Sequence, residues 1–192
     1  MPLDIVILGP PGAGKGTQAE LIAEEAGIPH VNTGDMYRAA EAAGTELGAK
    51  VAPYMHAGEL VPDDLTIGVV RERLAAPDTA RGFVLEGFPR TLPQAEALDE
   101  ILAESDRELA VVLHFQLSDE LAEKRLLKRA LEQGRGDDTP GIIHRRMETM
   151  RIPDELVEFY RAKGILVGIH AERTIEEVFA EVQQVLQAAA TR

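Results

Sequence analysis

The chain has 192 residues, 45% of them apolar, and its 20 basic and 33 acidic residues give a net charge of −13. This length suits one α/β domain with one substantial core, and the negative charge argues against general binding to nucleic acids or anionic membranes. Without cysteine, disulfides, thiol catalysis and cysteine-ligated zinc are excluded. Residues 1–4 lack a signal-peptide pattern and no apolar run approaches the roughly 20 residues of a membrane span, so we expect a cytoplasmic protein.

The first predicted element is an apolar strand, residues 4–8, which leads directly into the glycine-rich turn GPPGAGKGT at 9–17. Glycines allow the backbone dihedrals that aim successive amide hydrogens into one concavity, and the following helix adds its partial positive N-terminus. Lys15 then lies beside the terminal phosphates of a nucleotide. The hydroxyl that usually follows the lysine comes one place later, at Thr17. A ligand-free turn is the alternative, but it has no use for this lysine.

Four further strand-like runs follow along the chain: 29–31, 83–86, 109–116 and 165–169. Helical patterns separate them, and this alternation predicts parallel strands joined by crossover helices. Two segments fit the alternation poorly, a long helical insertion over 32–61 and a polar loop over 132–141. In an open α/β sheet, ligands bind at the carboxyl ends of the strands, where such insertions fold over them.

Helix boundaries are marked at three places late in the chain. Thr174 with Glu177 three residues on predicts a capping box. Thr139 before Pro140 predicts a helix whose first residue is the proline. Pro153 lacks an amide hydrogen, so a helix must end or restart near it.

A second polar motif, EGFPR at 86–90, ends the third predicted strand at the edge where the phosphate loop lies. Glu86 is suited to hold waters around magnesium, and Arg90 to grip a phosphate group bidentately. The alternative is a strand-terminating turn with a surface arginine. The combination with the upstream loop favours ligand binding.

A basic region of this acidic chain lies between residues 125 and 151, where seven basic residues stand against four acidic ones, a balance of +3. Arg125 and Arg129 are four apart and share a helix face, while Arg135 lies in the polar loop and Arg146 beyond it. Closure of that loop would bring these guanidinium groups to a transferring phosphate. A solvated basic helix face is the alternative.

Two segments leave their roles open. Thr33, Asp35 and Arg38 fit either a helix start or a phosphate site to which Arg38 contributes. Gln94 completes a capping box with Thr91, but a carboxamide also matches the donor and acceptor edge of adenine. The five histidines have no metal-ligand spacing and are assigned no chemistry.

Together these motifs resemble the adenylate kinase family. The resemblance covers nearly the whole chain, in the order and spacing of that family. The motifs that carry it are 9–17, Thr33-Gly34-Asp35 with Arg38, 58–62, 87–90 with Gln94, and 134–138.

The resemblance implies a role for each matching residue. The residues implied for ATP binding are Gly12, Ala13, Gly14, Lys15, Gly16, Thr17, Arg129 and Arg173. Those implied for AMP binding are Thr33, Arg38, Glu59, Leu60, Val61, Gly87, Phe88, Pro89, Arg90, Gln94, Arg135 and Arg146. Those implied to stabilise the transferring phosphoryl group are Lys15, Arg90, Arg129, Arg135 and Arg146. No residue is implied to bind a metal directly, and Glu86 would act through water.

The implied fold is a P-loop three-layer α/β domain over residues 1–192, with a central five-stranded parallel sheet. A helical NMP-binding insertion would span 32–61, and a short lid about residues 130–142. The implied reaction is reversible transfer from MgATP to AMP, giving two ADP. The implied enzyme is a cytoplasmic monomer with magnesium as cofactor, no structural zinc, and no nucleic acid or membrane partner.

Four departures from the family pattern stand out. Glu86 occupies the place of a usual aspartate, Asn32 that of a serine and Arg173 that of a glycine, and 150–153 lacks the usual tyrosine and threonine. A UMP or CMP kinase is the nearest alternative, against which Thr33 and Gln94 favour adenine. A nucleotide-binding module without turnover is the alternative from another class.

Overall fold

The structure of the chain is a computed structural model that describes residues 2–133 and 139–190. Five parallel strands form one sheet in the order β2-β3-β1-β4-β5. Their bounds are β1 Leu3–Leu8, β2 His30–Asn32, β3 Gly82–Glu86, β4 Val111–Gln116 and β5 Leu166–His170. Every strand predicted from the sequence is present within two residues of its expected bounds, and the predicted parallel α/β sheet is confirmed.

Helices cover both faces of the sheet. Their bounds are α1 Lys15–Ala26, α2 Thr33–Ala42, α3 Glu46–Ala57, α4 Asp63–Leu74, α5 Leu92–Ala103, α6 Asp119–Gln133, α7 Pro140–Thr149, α8 Asp154–Ala162 and α9 Ile175–Ala190. A short 3-10 turn lies at Pro77–Thr79. Within the described ranges, no helix is both long and apolar enough to cross a membrane.

The alternation of side chains along β1 explains the three layers. Val6 and Leu8 pack into the core formed with α4, α5 and α8, whereas Ile5 and Ile7 pack into the core formed with α1 and α9. All four side chains are at most 2% exposed. Successive residues of a strand point to opposite faces, so a continuous apolar run is what a central strand covered on both faces requires.

A buried ion pair secures the beginning of β1. Asp4 is fully buried, and Arg107 binds it through both Nε, 2.9 Å from Oδ2, and a terminal nitrogen. Arg107 also donates to the Thr79 carbonyl at 2.9 Å and lies 5.4 Å from the Phe83 ring centroid. Burial raises the pKa of the Asp4 carboxyl, and the hydrogen bond and charge of Arg107 oppose that rise. The pair therefore ties β1 to two loops on the side opposite the phosphate loop.

The predicted insertion is a pair of helices, α2 and α3, with a small core of its own that includes Tyr37, Val51 and Val61. The two helices pack closely because residue 48 is a glycine. A Cβ there would lie 2.3 Å from the Ala40 carbonyl oxygen, nearer than any side-chain carbon can stand.

The three predicted helix boundaries are confirmed. Thr174 and Glu177 form a reciprocal capping box, with N–H to oxygen distances of 3.0 and 3.3 Å. Helix α7 begins at Pro140, and the chain between α7 and α8 contains Pro153.

Candidate active site

A cleft of about 470 Å³ lies at the carboxyl edge of the sheet. The phosphate loop, the ends of β2 and β3, the α2–α3 insertion, α6 and α7 all contribute to its walls. The predicted site residues that line it are Gly12, Gly14, Lys15, Gly16, Thr17, Thr33, Arg38, Glu59, Leu60, Val61, Gly87, Arg90, Gln94, Arg129 and Arg146. Residues from distant parts of the chain thus meet around one cavity.

Other predicted site residues lie elsewhere. Ala13 and Phe88 are packed into the apolar cores, and Pro89 is buried after a cis peptide bond. Arg173 forms an ion pair with Glu181, and its Nε donates to the His170 carbonyl at 3.2 Å. Arg135 lies outside the described residues, as do the neighbouring lid residues 134–138.

The phosphate loop has the backbone that its glycines predict. Gly12 and Gly14 have φ angles of 82° and 80°, in the left-handed region that side chains disfavour. At Gly12 a Cβ would also lie 2.6 Å from the Ala122 carbonyl oxygen on α6. Helix α1 begins directly after Gly14, so its N-terminal amides face the cleft.

Lys15 is buried at the base of the cleft, where its Nζ donates to the Pro10 carbonyl at 2.8 Å. Burial, together with the positive charges of Arg90, Arg146 and Arg129, lowers the pKa of Lys15 to about 7, against the opposing charge of Glu86. Three guanidinium groups therefore concentrate positive charge on this lysine. The base of the cleft is therefore positively charged, within a chain whose net charge is −13.

Arg90 is held by main-chain oxygens from three segments. Its Nε donates to Gly87 at 3.2 Å, and one terminal nitrogen lies 3.4 Å from the Gly9 carbonyl and 3.5 Å from that of Met150. Burial lowers the pKa of Arg90 to about 10, with Arg146 adding to the effect and Glu86 opposing it. Arg90 therefore stays charged at neutral pH and lies within the cleft, not on the outer surface.

Glu86 has two side-chain partners on the neighbouring strand. Asn32 is its register partner on β2, and His30 lies two residues earlier on the same face. Asn32 Nδ2 donates to Glu86 Oε2 at 2.8 Å, and His30 Nε2 lies 3.1 Å from the same oxygen. Although burial favours the neutral acid, the His30 contact and the charges of Lys15 and Arg90 lower the pKa of Glu86. His30 was assigned no role from the sequence, and its spacing of two from Asn32 was the available signal.

The capping box predicted at Thr91 and Gln94 is only half formed. The Gln94 N–H donates to Thr91 Oγ1 at 3.3 Å, as expected. The Gln94 side chain instead returns to the N–H of Arg90, with Oε1 2.7 Å away, because its Nε2 reaches Asp63 Oδ1 at 2.7 Å. Gln94 is 1% exposed and lines the cleft. Asp63 was not found from the sequence.

Helix α2 is capped by a residue that the sequence did not indicate. The cap is Asn32, whose Oδ1 accepts from the Asp35 N–H at 3.2 Å. Asp35 pairs with Arg38 at 2.6 Å, and Thr33 is buried at the cleft wall. Arg38 and Thr33 thus line the cavity, and Asn32, rather than Thr33 or Asp35, caps the helix.

The far end of the insertion contacts α7. Thr149 Oγ1 donates to the Gly58 carbonyl at 2.6 Å, and Arg145 pairs with Glu59 at 3.0 Å. The insertion and α7 therefore close one side of the cleft through a few polar contacts.

Further cleft residues were not assigned a site role from the sequence. They include Glu20, Tyr37, Met55, Thr66 and Met150. Tyr37 donates to Thr66 Oγ1 at 2.9 Å, and Arg125 to the Ala171 carbonyl at 2.8 Å. Arg125, which the sequence placed with Arg129 in the basic region, also lines the cleft. Tyr37 and Thr66 had no signal in the sequence, because their contact joins α2 to α4.

Comparison with known proteins agrees with this geometry. A family model described as adenylate kinase matches residues 7–165. The chain is 47% identical to a protein named adenylate kinase from Leptospira biflexa, covering 91% of this chain and 94% of the relative. It is 46% identical to one from Thermobifida fusca, covering 97% and 99%, and 43% identical to one from Lysinibacillus sphaericus, covering 96% and 98%.

The chain belongs to the adenylate kinase family. It is a nucleoside monophosphate kinase, as the sequence predicted, and the expected phosphoryl transfer between ATP and AMP is confirmed. The comparisons do not favour the UMP or CMP kinase alternative. The P-loop α/β fold of the adenylate kinase family accounts for the sheet order and the position of the cleft.

Proposed function

We propose that this member of the adenylate kinase family catalyses ATP + AMP ⇌ 2 ADP with the cleft at the sheet edge as its active site. The convergence of Arg90, Arg129 and Arg146 on the buried Lys15 carries the proposal. Such a concentration of fixed positive charge is what phosphoryl transfer requires, since negative charge spreads over the transferring group in the transition state.

The donor is assigned to the phosphate-loop side. Gly12 to Thr17 would bind the ATP phosphates through main-chain amides, with Lys15 on the terminal phosphates and Arg129 beside them. Arg173 is assigned to the border of the ATP base through its backbone, since its side chain pairs with Glu181.

The acceptor is assigned to the opposite wall. Thr33, Arg38, residues 59–61 and 87–90, and Gln94 would hold AMP, with Arg38 and Arg90 on its phosphate. Arg146 would contact the transferring group, and Arg135 is proposed for the same role although it lies outside the described residues. The bond between the γ-phosphorus of ATP and its bridging oxygen breaks, and one forms to an AMP phosphate oxygen. That oxygen is already an anion, so the step needs no general base.

Magnesium is proposed as the cofactor that accompanies ATP. Among the described residues, no cluster of three or more histidine, cysteine or acidic side chains could hold a metal ion by itself. The ionised, oriented carboxylate of Glu86 beside the phosphate loop fits an ion that keeps waters and takes its other oxygens from phosphates. Magnesium would neutralise charge on the ATP phosphates, and Glu86 and Thr17 would position its water shell.

We further propose a cytoplasmic monomer that binds ATP, AMP and ADP, with neither nucleic acid nor membrane as partner. The net charge of −13 supports the exclusion of polyanionic partners.

The test is ADP production from ATP and AMP by the purified chain, with and without magnesium. AMP, CMP and UMP are compared as acceptors, and we expect AMP to have the highest kcat/KM. Lys15→Ala is expected to abolish most turnover, whereas Arg81→Ala, an exposed control, leaves it unchanged. A preference for CMP or UMP, or the absence of ADP, would refute the proposal.

A further inference from the structure

We propose that Asp63, which lies behind the cleft wall, sets the choice between 6-amino and 6-oxo purines by fixing the orientation of the Gln94 carboxamide. The inference rests on the proposed function, in which Gln94 faces the acceptor base. Among the described residues that line the cleft, Gln94 is present and Asp63 is not. Asp63 therefore acts through Gln94 as a positioning residue.

Asp63 joins the starts of two helices. It is the first residue of α4, and both of its carboxylate oxygens are used toward α5. Oδ2 accepts from Thr91 Oγ1 at 2.9 Å, and Oδ1 accepts from Gln94 Nε2 at 2.7 Å. Thr91 is the N-cap of α5 and in turn accepts from the Gln94 N–H at 3.3 Å.

The direction of every hydrogen bond around the amide is fixed by chemistry. The main-chain N–H of Arg90 can only donate, so the Gln94 atom 2.7 Å from it must be the oxygen. An ionised carboxylate can only accept, so the atom facing Asp63 must be the nitrogen. A flipped amide would place oxygen against carboxylate and N–H against N–H. Gln94 therefore has one orientation and not two.

This orientation leaves one arrangement of hydrogen-bond donor and acceptor for a ligand. After its two internal bonds, Gln94 retains one acceptor lone pair on Oε1 and one N–H on Nε2. Adenine offers an exocyclic N–H next to a ring nitrogen acceptor, which matches that order. Hypoxanthine reverses it, since its 6-oxo group accepts and its N1–H donates. A flipped amide would satisfy hypoxanthine, and both the Asp63 carboxylate and the Arg90 N–H oppose the flip.

The matched pair of acceptors is AMP and IMP, because their bases differ only in the 6-substituent and the N1 proton that accompanies it. We compare kcat/KM for both in the wild type, Asp63→Asn and Asp64→Asn. The asparagine introduced by Asp63→Asn can rotate its amide and donate to a flipped Gln94, so the ratio of kcat/KM for AMP to that for IMP is expected to fall about tenfold, the factor for one hydrogen bond of moderate strength. Asp64 is exposed on the same helical turn and serves as the control, with an unchanged ratio.

Two further variants separate positioning from stability. Asp63→Glu keeps a carboxylate acceptor and is expected to retain a ratio closer to wild type than Asp63→Asn. Thr91→Val removes the hydroxyl that holds Asp63 Oδ2 and is expected to lower the ratio several-fold. If the Asp63→Asn protein fails to fold, the ratio measured for Thr91→Val tests the inference instead. Thermal unfolding confirms that the Thr91→Val protein is folded.

The outcomes are distinct. A fall in the AMP to IMP ratio supports the role of Asp63. A parallel loss of kcat/KM for both acceptors, with the ratio unchanged, would overturn it and leave Asp63 a structural residue. Failure of the wild type to turn over AMP would refute the proposed function itself, whereas normal AMP turnover with an unchanged ratio in the variants would refute only this inference.

Discussion

The two sides of the cleft are built differently. At the sheet edge, formed by residues 9–17 and 86–90, Lys15 and Arg90 are held by main-chain carbonyls from the strand ends and from Met150, which follows α7. On the helical side, formed by the α2–α3 insertion and α7, the cations are held by other side chains: Arg38 by Asp35 and Arg145 by Glu59. Main-chain partners are fixed once the sheet has folded, whereas exposed ion pairs form and break at little cost. The geometry of the sheet edge is therefore part of the fold, and that of the helical side is left adjustable.

Arg90→Ala tests the sheet edge, where we expect the largest effect on activity. We expect kcat to fall by about 10³-fold, because one fixed charge on the transferring phosphate is removed. The measurement is steady-state ADP formation together with thermal unfolding, and Arg81→Ala is the control. A variant that loses activity only because it unfolds, or one with unchanged turnover, would contradict the assigned role.

The pH dependence of ATP binding tests the buried Lys15. Its pKa is about 7 without ligand, and bound phosphates favour the charged form. Below pH 7 the lysine is already protonated, so its contribution to affinity is constant. Above pH 7 binding must take up a proton, and the Kd is expected to rise up to about tenfold per pH unit.

Calorimetry in two buffers of different ionisation enthalpy measures that proton uptake. Lys15→Arg retains a charge throughout and provides the control, which also subtracts the titration of ATP itself. A wild-type Kd with the same pH profile as the arginine variant would show that Lys15 does not titrate in this range.

Asn32 stands where the two sides meet, since it caps α2 and also binds Glu86. Asn32→Ala is expected to lower the free energy of unfolding by about 1 kcal/mol through loss of the cap. Asn32→Ser can still cap the helix and should retain most of that stability. Urea unfolding of both variants distinguishes them, and equal stability losses would mean that the Glu86 contact dominates.

The smallest effect, a change in the free energy of unfolding, is expected on the helical side. The Arg145 and Glu59 side chains are 52% and 44% exposed, so their ion pair is worth about 0.2–1 kcal/mol and weakens with salt. A double-mutant cycle with Arg145→Ala and Glu59→Gln, measured by urea unfolding at low and high salt, gives this coupling. A coupling well above this range, or one indifferent to salt, would show that this side is as fixed as the sheet edge.

The features that the sequence predicts well depend on local patterns, and those that it misses depend on contacts between distant segments. The strands and the phosphate loop were predicted because apolar runs and the 9–17 glycine pattern act locally. The partners of Glu86 and Gln94 were missed because they come from another strand and another helix, His30 and Asp63. The Gln94 capping box illustrates the limit: local spacing gave the Thr91 contact correctly, but a distant carboxylate drew the side chain elsewhere.

The contact at Gly48 has a mechanical consequence. Since the backbone of α3 lies against that of α2 without room for a methyl group, neither helix can tilt without the other. The α2–α3 pair is then expected to move as one rigid unit about its two connections, residues 32–33 and 58–62. Gly48→Ala, although far from any phosphate, would force the two helices apart and slow the binding of the acceptor.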